Sequence, residues 1–268
     1  MRNKILFFLL LSSLALIAFI IPFFARGSEP QNTQATQLSG SGIITVKGCT
    51  YYIFIADLDS YDIKVHWQDA NNKPYSTIGN LLHAPQFTGN PPLMITNGGM
   101  FNPDITPEGL FIENGIQKQQ LNTARPNNDN FYLKPNGIFY ITKDGTAHID
   151  TTSETFKSII PNIQQATQSG PMLVIDGKMH DKFMSGSLNK KIRSGVGIIG
   201  PKKVVFIVSQ TEVNFYDFAS LFKDVYHCPN ALFLDGAISM MYLRDINPSA
   251  TDGNFCTLIS VTKKVRSK

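Results

Sequence analysis

The sequence predicts an α+β fold: a single domain with a largely antiparallel or mixed β-sheet core and a few helices. Three observations lead there. Short apolar or alternating segments recur along the chain, separated by turn pairs such as Asp59-Ser60, Asp144-Gly145 and Asp176-Gly177. Only two segments carry helical spacing. Strands and helices do not alternate regularly, as a parallel α/β design requires.

The chain has 268 residues. Residues 5–25 are almost wholly apolar and follow a basic start, Arg2 and Lys4. They read as a secretory signal cleaved after Ala25-Arg26-Gly27. An uncleaved anchor is the alternative, because the run is just long enough to span a bilayer. Residues 1–27 are therefore signal or anchor, and residues 28–41, rich in Ser, Gln, Thr and Gly, are expected to be a disordered leader. Residues 42–268 form the domain, large enough to bury a substantial core without staples. The expected location is exported, periplasmic or extracellular, with membrane contact only through residues 5–25 if the signal stays on.

Within the domain, residues 51–58 and 62–67 alternate around Asp59-Ser60 and predict a hairpin. Residues 131–133 and 137–142 predict short strands separated by Pro135-Asn136. Lys143-Asp144-Gly145 then turns the chain into 146–149. Further strands are expected at 172–175, 194–199 and 204–209, with a tight turn at Asp176-Gly177 after the first of them. Segments 231–234, 238–243 and 255–261 complete the set. Phe215, Phe218, Ala219 and Phe222 fall on one helical face. Asn214 caps that helix, Asp217 adds favourable charge in its first turn, and Cys228-Pro229 ends it. Leu81-Leu82-His83, ahead of Pro85, marks a weaker second helix.

Charge and cysteine usage exclude several classes. The net charge is +4, but Arg2, Lys4 and Arg26 belong to the leader, which leaves +1. No basic stripe with interleaved aromatics exists, and the tail Lys263-Lys264-Val265-Arg266-Ser267-Lys268 is a solvated terminus. Nucleic acid is therefore not an expected partner. Cys49, Cys228 and Cys256 show no Cys-x-x-Cys spacing, so a structural zinc site is unsupported. In an oxidising compartment any two of them could pair, leaving one thiol over. The histidines are scattered, without His-Glu-x-x-His spacing, and no metal ligands are assigned. No cofactor is expected. Ca²⁺ held by Asp235, Asp104 and loop carbonyls is the one cation considered, without an Asp-rich loop to support it.

The segment Ala231-Leu232-Phe233-Leu234-Asp235-Gly236-Ala237-Ile238-Ser239 is a buried strand that ends at an acid and a glycine. Strand-end loops are where a scaffold presents reactive groups, although Asp-Gly is also a common turn pair. Asn97-Gly98-Gly99 likewise follows a short apolar run; its glycines permit sharp turning and close approach. Glu108 offers a second carboxylate. Gln168-Ser169-Gly170 leads into an apolar strand, but Gly-x-Ser-x-Gly is absent, so a serine hydrolase is discounted. Arg193 places a planar fork of donors at a strand entry, suited to phosphate or carboxylate.

In one order the chain carries Asn97-Gly98-Gly99-Met100-Phe101, Pro107-Glu108-Gly109-Leu110, Asn130-Phe131-Tyr132-Leu133-Lys134-Pro135-Asn136-Gly137, Gln168-Ser169-Gly170-Pro171, Arg193-Ser194-Gly195-Val196-Gly197 and Leu234-Asp235-Gly236. This series resembles the phosphodiester glycosidase family, whose animal member is the lysosomal uncovering enzyme, and within it the bacterial exported branch. The resemblance spans roughly residues 45 to 262. It implies an exported hydrolase that cleaves a sugar phosphodiester or related envelope glycan linkage. Asp235 would act as acid, base or nucleophile at the anomeric carbon. Arg193 would hold the phosphodiester, with Glu108 as a second carboxylate. Asn97, Gly98, Gly99, Gln168, Ser169, Gly170, Gly236 and Ser239 would bind the substrate. Many members carry a second glycine where this chain has Ala237-Ile238, which implies a different substrate preference. The competing readings are a non-catalytic binder of glycans or phosphate headgroups in the envelope, and a structural partner in envelope polysaccharide assembly.

Overall fold

The computed structural model describes residues 39–124, 130–236 and 238–265. The predicted signal or anchor, most of the predicted leader, Ala237 and the end of the basic tail lie outside the described residues. Three sheets contain all the named strands. The first runs β1 (Gly40–Val46), β2 (Cys49–Asp57), β13 (Lys203–Ser209), β12 (Ser194–Gly200), β14 (Asn230–Asp235), β10 (Met172–Ile175) and β11 (Lys178–Met179). The second runs β15 (Met241–Leu243), β4 (Met94–Asn97), β16 (Leu258–Lys263) and β3 (Tyr61–His66). The third runs β6 (Ile116–Gln119), β5 (Phe111–Glu113), β9 (Ile163–Ser169), β7 (Gly137–Thr142) and β8 (Ala147–Thr151). Each pairing between these strands is antiparallel, which narrows the predicted antiparallel or mixed core to the antiparallel case. The helices α1 (Ile78–Leu82) and α2 (Phe215–Ser220) are short, so α+β is a loose label for a β-dominated fold.

Period-two alternation explains why the first sheet lies at the centre. Phe54, Phe206, Leu232 and Leu234 face the core shared with Met94 and Ile259 of the second sheet and Phe111 and Phe139 of the third. Ile53, Ile55, Val205 and Phe233 point the other way, against Phe218 and Phe222. Both faces are covered, so β13 and β14 are continuous apolar runs. Asn214 caps α2, its side chain accepting from the Asp217 amide, and a wider π turn at Leu221–Val225 carries Phe222 onto the sheet. Gly197 makes room for that ring: a Cβ there would stand 2.6 Å from Phe222. Thr77 caps α1.

The structure departs from the sequence prediction in four places. Residues 51–58 and 62–67 form no hairpin. β2 is paired on both edges, by β1 and β13, so β3 leaves for the second sheet and pairs with β16. Residues 131–133 are not a strand but part of a 3₁₀ turn, Asn130–Tyr132, ahead of Pro135, which has no amide to give a ladder. Strand β1 begins at Gly40, inside the segment predicted as leader. The central strand β9 was not predicted, because its sequence is polar: Gln165, Thr167, Gln168 and Ser169 are all buried. The Asp176-Gly177 turn is as predicted, with φ of 47° and 75° closing β10 onto β11. Cys49, Cys228 and Cys256 are all free thiols.

Polar contacts tie the second sheet to the third. The Val65 amide donates to Gln165 Oε1 at 3.1 Å. His66 Nδ1 lies 3.6 Å from Glu113, and Nε2 meets Ser260 Oγ at 2.8 Å. Burial pushes the His66 imidazole below its ordinary value of 6.5, and Glu113 offsets only part of that. Burial acts to raise the Glu113 carboxyl, but hydrogen bonds from His66 and Lys118 outweigh it and leave the group below 4.5. In both cases the unfolded chain holds protons more tightly than the folded one. The histidine's contribution is therefore complete above 6.5 and is lost as pH falls toward its lowered value. In thermal scans between about pH 7 and pH 5, His66→Gln is expected to flatten the fall in Tm. An unchanged slope would contradict this.

Candidate active site

Strand ends from all three sheets converge at the C-terminal end of β14. Its last residues do not stay in register with β12: Ser194 faces Asp235, but Gly195 faces Phe233, so Leu234 is an extra residue. Such a bulge bends a strand and re-aims its side chains. Here it brings Asp235 to a cleft of about 830 Å³. Asp235 is 8 % exposed, and its Oδ1 accepts from the Gly236 amide at 2.5 Å.

Buried hydroxyls and amides fix the bulge. Asp235 N donates to Ser194 Oγ at 3.1 Å, and Ser194 Oγ donates to Asp235 O at 3.0 Å. Asn97 Nδ2 donates to the same hydroxyl at 2.7 Å, and Ser239 Oγ lies 3.0 Å from it. Ser239 Oγ also reaches Asp235 O at 2.6 Å. From the third sheet, Ser169 Oγ donates to Leu234 O at 2.8 Å.

Arg193, one residue before this hydroxyl, is 1 % exposed and lines the cleft. Its Nε donates to Val213 O at 2.7 Å and its Nη2 to Asn189 O at 2.9 Å. The guanidinium stacks 3.7 Å over the Phe215 ring. Among the described residues no carboxylate pairs with it. Burial alone pulls its pKa down to about 10, so it remains a cation at neutral pH. Nη1 lies beside Gly236: a Cβ built there would stand 3.6 Å from it. A buried cation without a counterion is costly and is relieved by an anion.

On another part of the wall, Glu108 Oε1 accepts from Tyr132 OH at 2.5 Å. Lys191 adds a second cation, and Met100, Phe101, Phe131 and Ile238 an apolar surface. A smaller hollow of about 310 Å³, beside Asp150, Asp176 and Asn230, has no cation in its lining. The Arg193 cleft therefore suits an anionic ligand better.

Of the residues singled out from sequence, Asp235, Arg193, Glu108 and Gly236 line the cleft. The others stand behind it. Asn97, 2 % exposed, holds Ser194 and accepts from Met240 N at 3.3 Å. Gly98 and Gly99 permit close packing: a Cβ would come within 2.3 Å of Thr257 Oγ1 or of Gln168 O respectively. Gly170 packs on Asn136 in the same way. Gln168 spends both ends of its amide internally, accepting from Leu110 N at 2.8 Å and Asn122 N at 3.0 Å, and donating to Asn122 O at 2.7 Å. Ser169 and Ser239 hold the bulge. Asp104 caps an exposed turn through Thr106. Tyr132, Lys191 and Ser194 stand in or beside the sequence motifs but carry no role legible from sequence; Asn189, a lone asparagine in a loop, gives no signal.

A profile described as phosphodiester glycosidase matches residues 91–261, which span every residue that lines this cleft. The chain belongs to the phosphodiester glycosidase family. The uncharacterised protein YigE of Escherichia coli K12 is 38 % identical over 204 residues, covering 75 % of this chain and 78 % of YigE. Among solved structures, the chain resembles the catalytic domain of zebrafish N-acetylglucosamine-1-phosphodiester alpha-N-acetylglucosaminidase, auto-inhibited by its pro-peptide. That match has a TM-score of 0.58 at 18 % identity and covers 84 % of this chain and 82 % of that one. A hypothetical protein from Synechocystis matches with a TM-score of 0.51 at 12 % identity, over 84 % of this chain and 61 % of that one. These structural likenesses establish the fold. Family membership supports a hydrolase-like role.

Ser194→Ala removes one bond to Asp235 O and leaves two buried amide donors without their acceptor. It is expected to cost roughly 1–3 kcal/mol in urea unfolding. A loss below about 0.5 kcal/mol would show that the hydroxyl does not anchor the bulge.

Proposed function

We propose that this protein is an exported glycosidase that hydrolyses sugar phosphodiesters, or a closely related glycan linkage of the cell envelope. The observation that carries the reading is Arg193, a buried guanidinium with no carboxylate partner among the described residues, lining the same cleft as two carboxylates. The reading also draws on the family's activity and on the apolar, basic-led residues 1–27 for export.

In this mechanism the diester anion lies against Arg193 through charge-assisted hydrogen bonds. The sugar occupies the wall of Phe101, Phe131 and Ile238. Asp235 supplies the carboxylate at the anomeric carbon. The bond between that carbon and the bridging oxygen breaks, and its electron pair leaves on phosphate. Arg193 stabilises the charge that grows there. Phosphate is a good leaving group, so little protonation of it is needed. Water supplies the hydroxyl of the released sugar. No cofactor enters. Ile238 in the wall narrows the sugar that fits.

The test uses the full chain and a panel of methyl sugar-1-phosphate diesters in water labelled with heavy oxygen. Label is expected in the sugar and not in methyl phosphate. Asp235→Asn should lower kcat at least about 100-fold with the fold retained. Arg193→Ala should raise KM about 10- to 100-fold, and Arg193→Lys should recover part of that loss. Label in methyl phosphate would indicate phosphoryl transfer instead. Tight binding without turnover across the panel would make the protein a binding module.

A further inference from the structure

Tyr132 and Glu108 form a pair at the cleft that takes no step in the mechanism above. Both side chains line the cleft of Arg193 and Asp235, and the phenol donates to Glu108 Oε1 at 2.5 Å. The pair is held from behind. Asn122 Nδ2 donates to Glu108 O at 2.9 Å and reaches Tyr132 OH at 3.4 Å. The Asn122 backbone is locked on both sides by the buried amide of Gln168. The Phe131 ring packs edge-on against Tyr132, with centroids 5.0 Å apart. Asn122 thus holds the Glu108 main chain and the phenol oxygen, and a hydroxyl set within hydrogen-bond reach of a carboxylate base is the core of an activated nucleophile.

We propose that Tyr132 is the nucleophile of this site and Glu108 its general base; the proposal rests on the sugar-phosphodiester reading. The physical reason is charge. The substrate carries its negative charge on the group bonded directly to the reacting carbon. A carboxylate nucleophile approaches against that charge. A phenol approaches neutral and gives up its proton only as the new bond forms. Sialidases are glycosidases that use a tyrosine nucleophile. The Glu108 carboxylate already accepts the phenol proton's hydrogen bond, which favours a base over an attacking group.

The Tyr132 oxygen bonds to the anomeric carbon while Glu108 takes the phenol proton. The carbon–oxygen bond to phosphate breaks, and the phosphate monoester leaves as a dianion beside Arg193. Water then attacks the same carbon and gives a proton to Asp235. The bond to the Tyr132 oxygen breaks, and Glu108 returns its proton to the phenol. Asp235 releases its proton to solvent. Two displacements at one carbon give net retention of configuration.

The experiment uses the methyl sugar-1-phosphate that the full chain turns over best. Tyr132→Phe is expected to lower kcat at least about 100-fold, with KM within about threefold of wild type and Tm unchanged. Glu108→Gln should give a similar loss in kcat with the fold retained. Proton NMR of the first-formed sugar should show retention. The 5-fluoro glycosyl fluoride of the same sugar should add its glycosyl mass to the peptide containing Tyr132. Inversion of configuration, label on Asp235 or Glu108, or near wild-type turnover by Tyr132→Phe would overturn this proposal and leave the functional reading standing. Absence of turnover by the wild type on every diester would overturn both.

Discussion

Four polar contacts meet at the Ser194 hydroxyl, and the geometry of the cleft depends on them. The oxygen accepts from Asn97 and the Asp235 amide and donates to the Asp235 carbonyl, with the Ser239 hydroxyl 3.0 Å away. It joins β12 and β14 of the central sheet to β4 of the second. Ser169, at the end of β9, completes the junction by reaching Leu234 O. Hydrophobic packing brings the sheets together but is indifferent to an offset of one residue along a strand. Directional hydrogen bonds in a dry interior are not, because each missed partner leaves a buried polar group unpaired. The bulge before Asp235 is thereby held in one arrangement.

The same logic runs through the other wall. Gln168 precedes Ser169 on β9, and while Ser169 secures the Asp235 side, Gln168 secures Leu110, two residues after Glu108, and Asn122, which bonds both Glu108 and Tyr132. Two consecutive buried side chains on one strand thus set the spacing of the groups that face the ligand. Between the walls sits Arg193, stacked on Phe215 and bonded to two carbonyls, with its charge uncompensated by any described carboxylate. The apolar surroundings that make this charge costly also make an incoming phosphate bind more strongly.

Much of this was legible in the sequence. Strands β7, β10, β12, β13 and β14 have continuous apolar runs because both of their faces are buried. Asn214 and the phenylalanine spacing marked α2. Asp235, Arg193, Glu108 and Gly236 were named from strand-end position and family pattern, and all four line one cleft. Other features were hidden for physical reasons. β9 reads as polar because it carries the buried hydrogen-bonding frame. The apparent hairpin at residues 51–67 splits because pairing depends on which edges remain open, which local alternation does not encode. Asn97, Gln168, Ser169 and Ser239 share residue types and motifs with ligand-binding groups. Whether an amide or a hydroxyl faces ligand or neighbour is decided by tertiary packing, and here they face neighbours.

The most direct measurement is a crystal structure of the full-length Asp235→Asn protein with a methyl sugar-1-phosphate. The account predicts phosphate oxygens within hydrogen-bonding distance of Arg193, and the anomeric carbon beside residue 235. A phosphate left in solvent, with Arg193 bonded only to Val213 and Asn189, would contradict it.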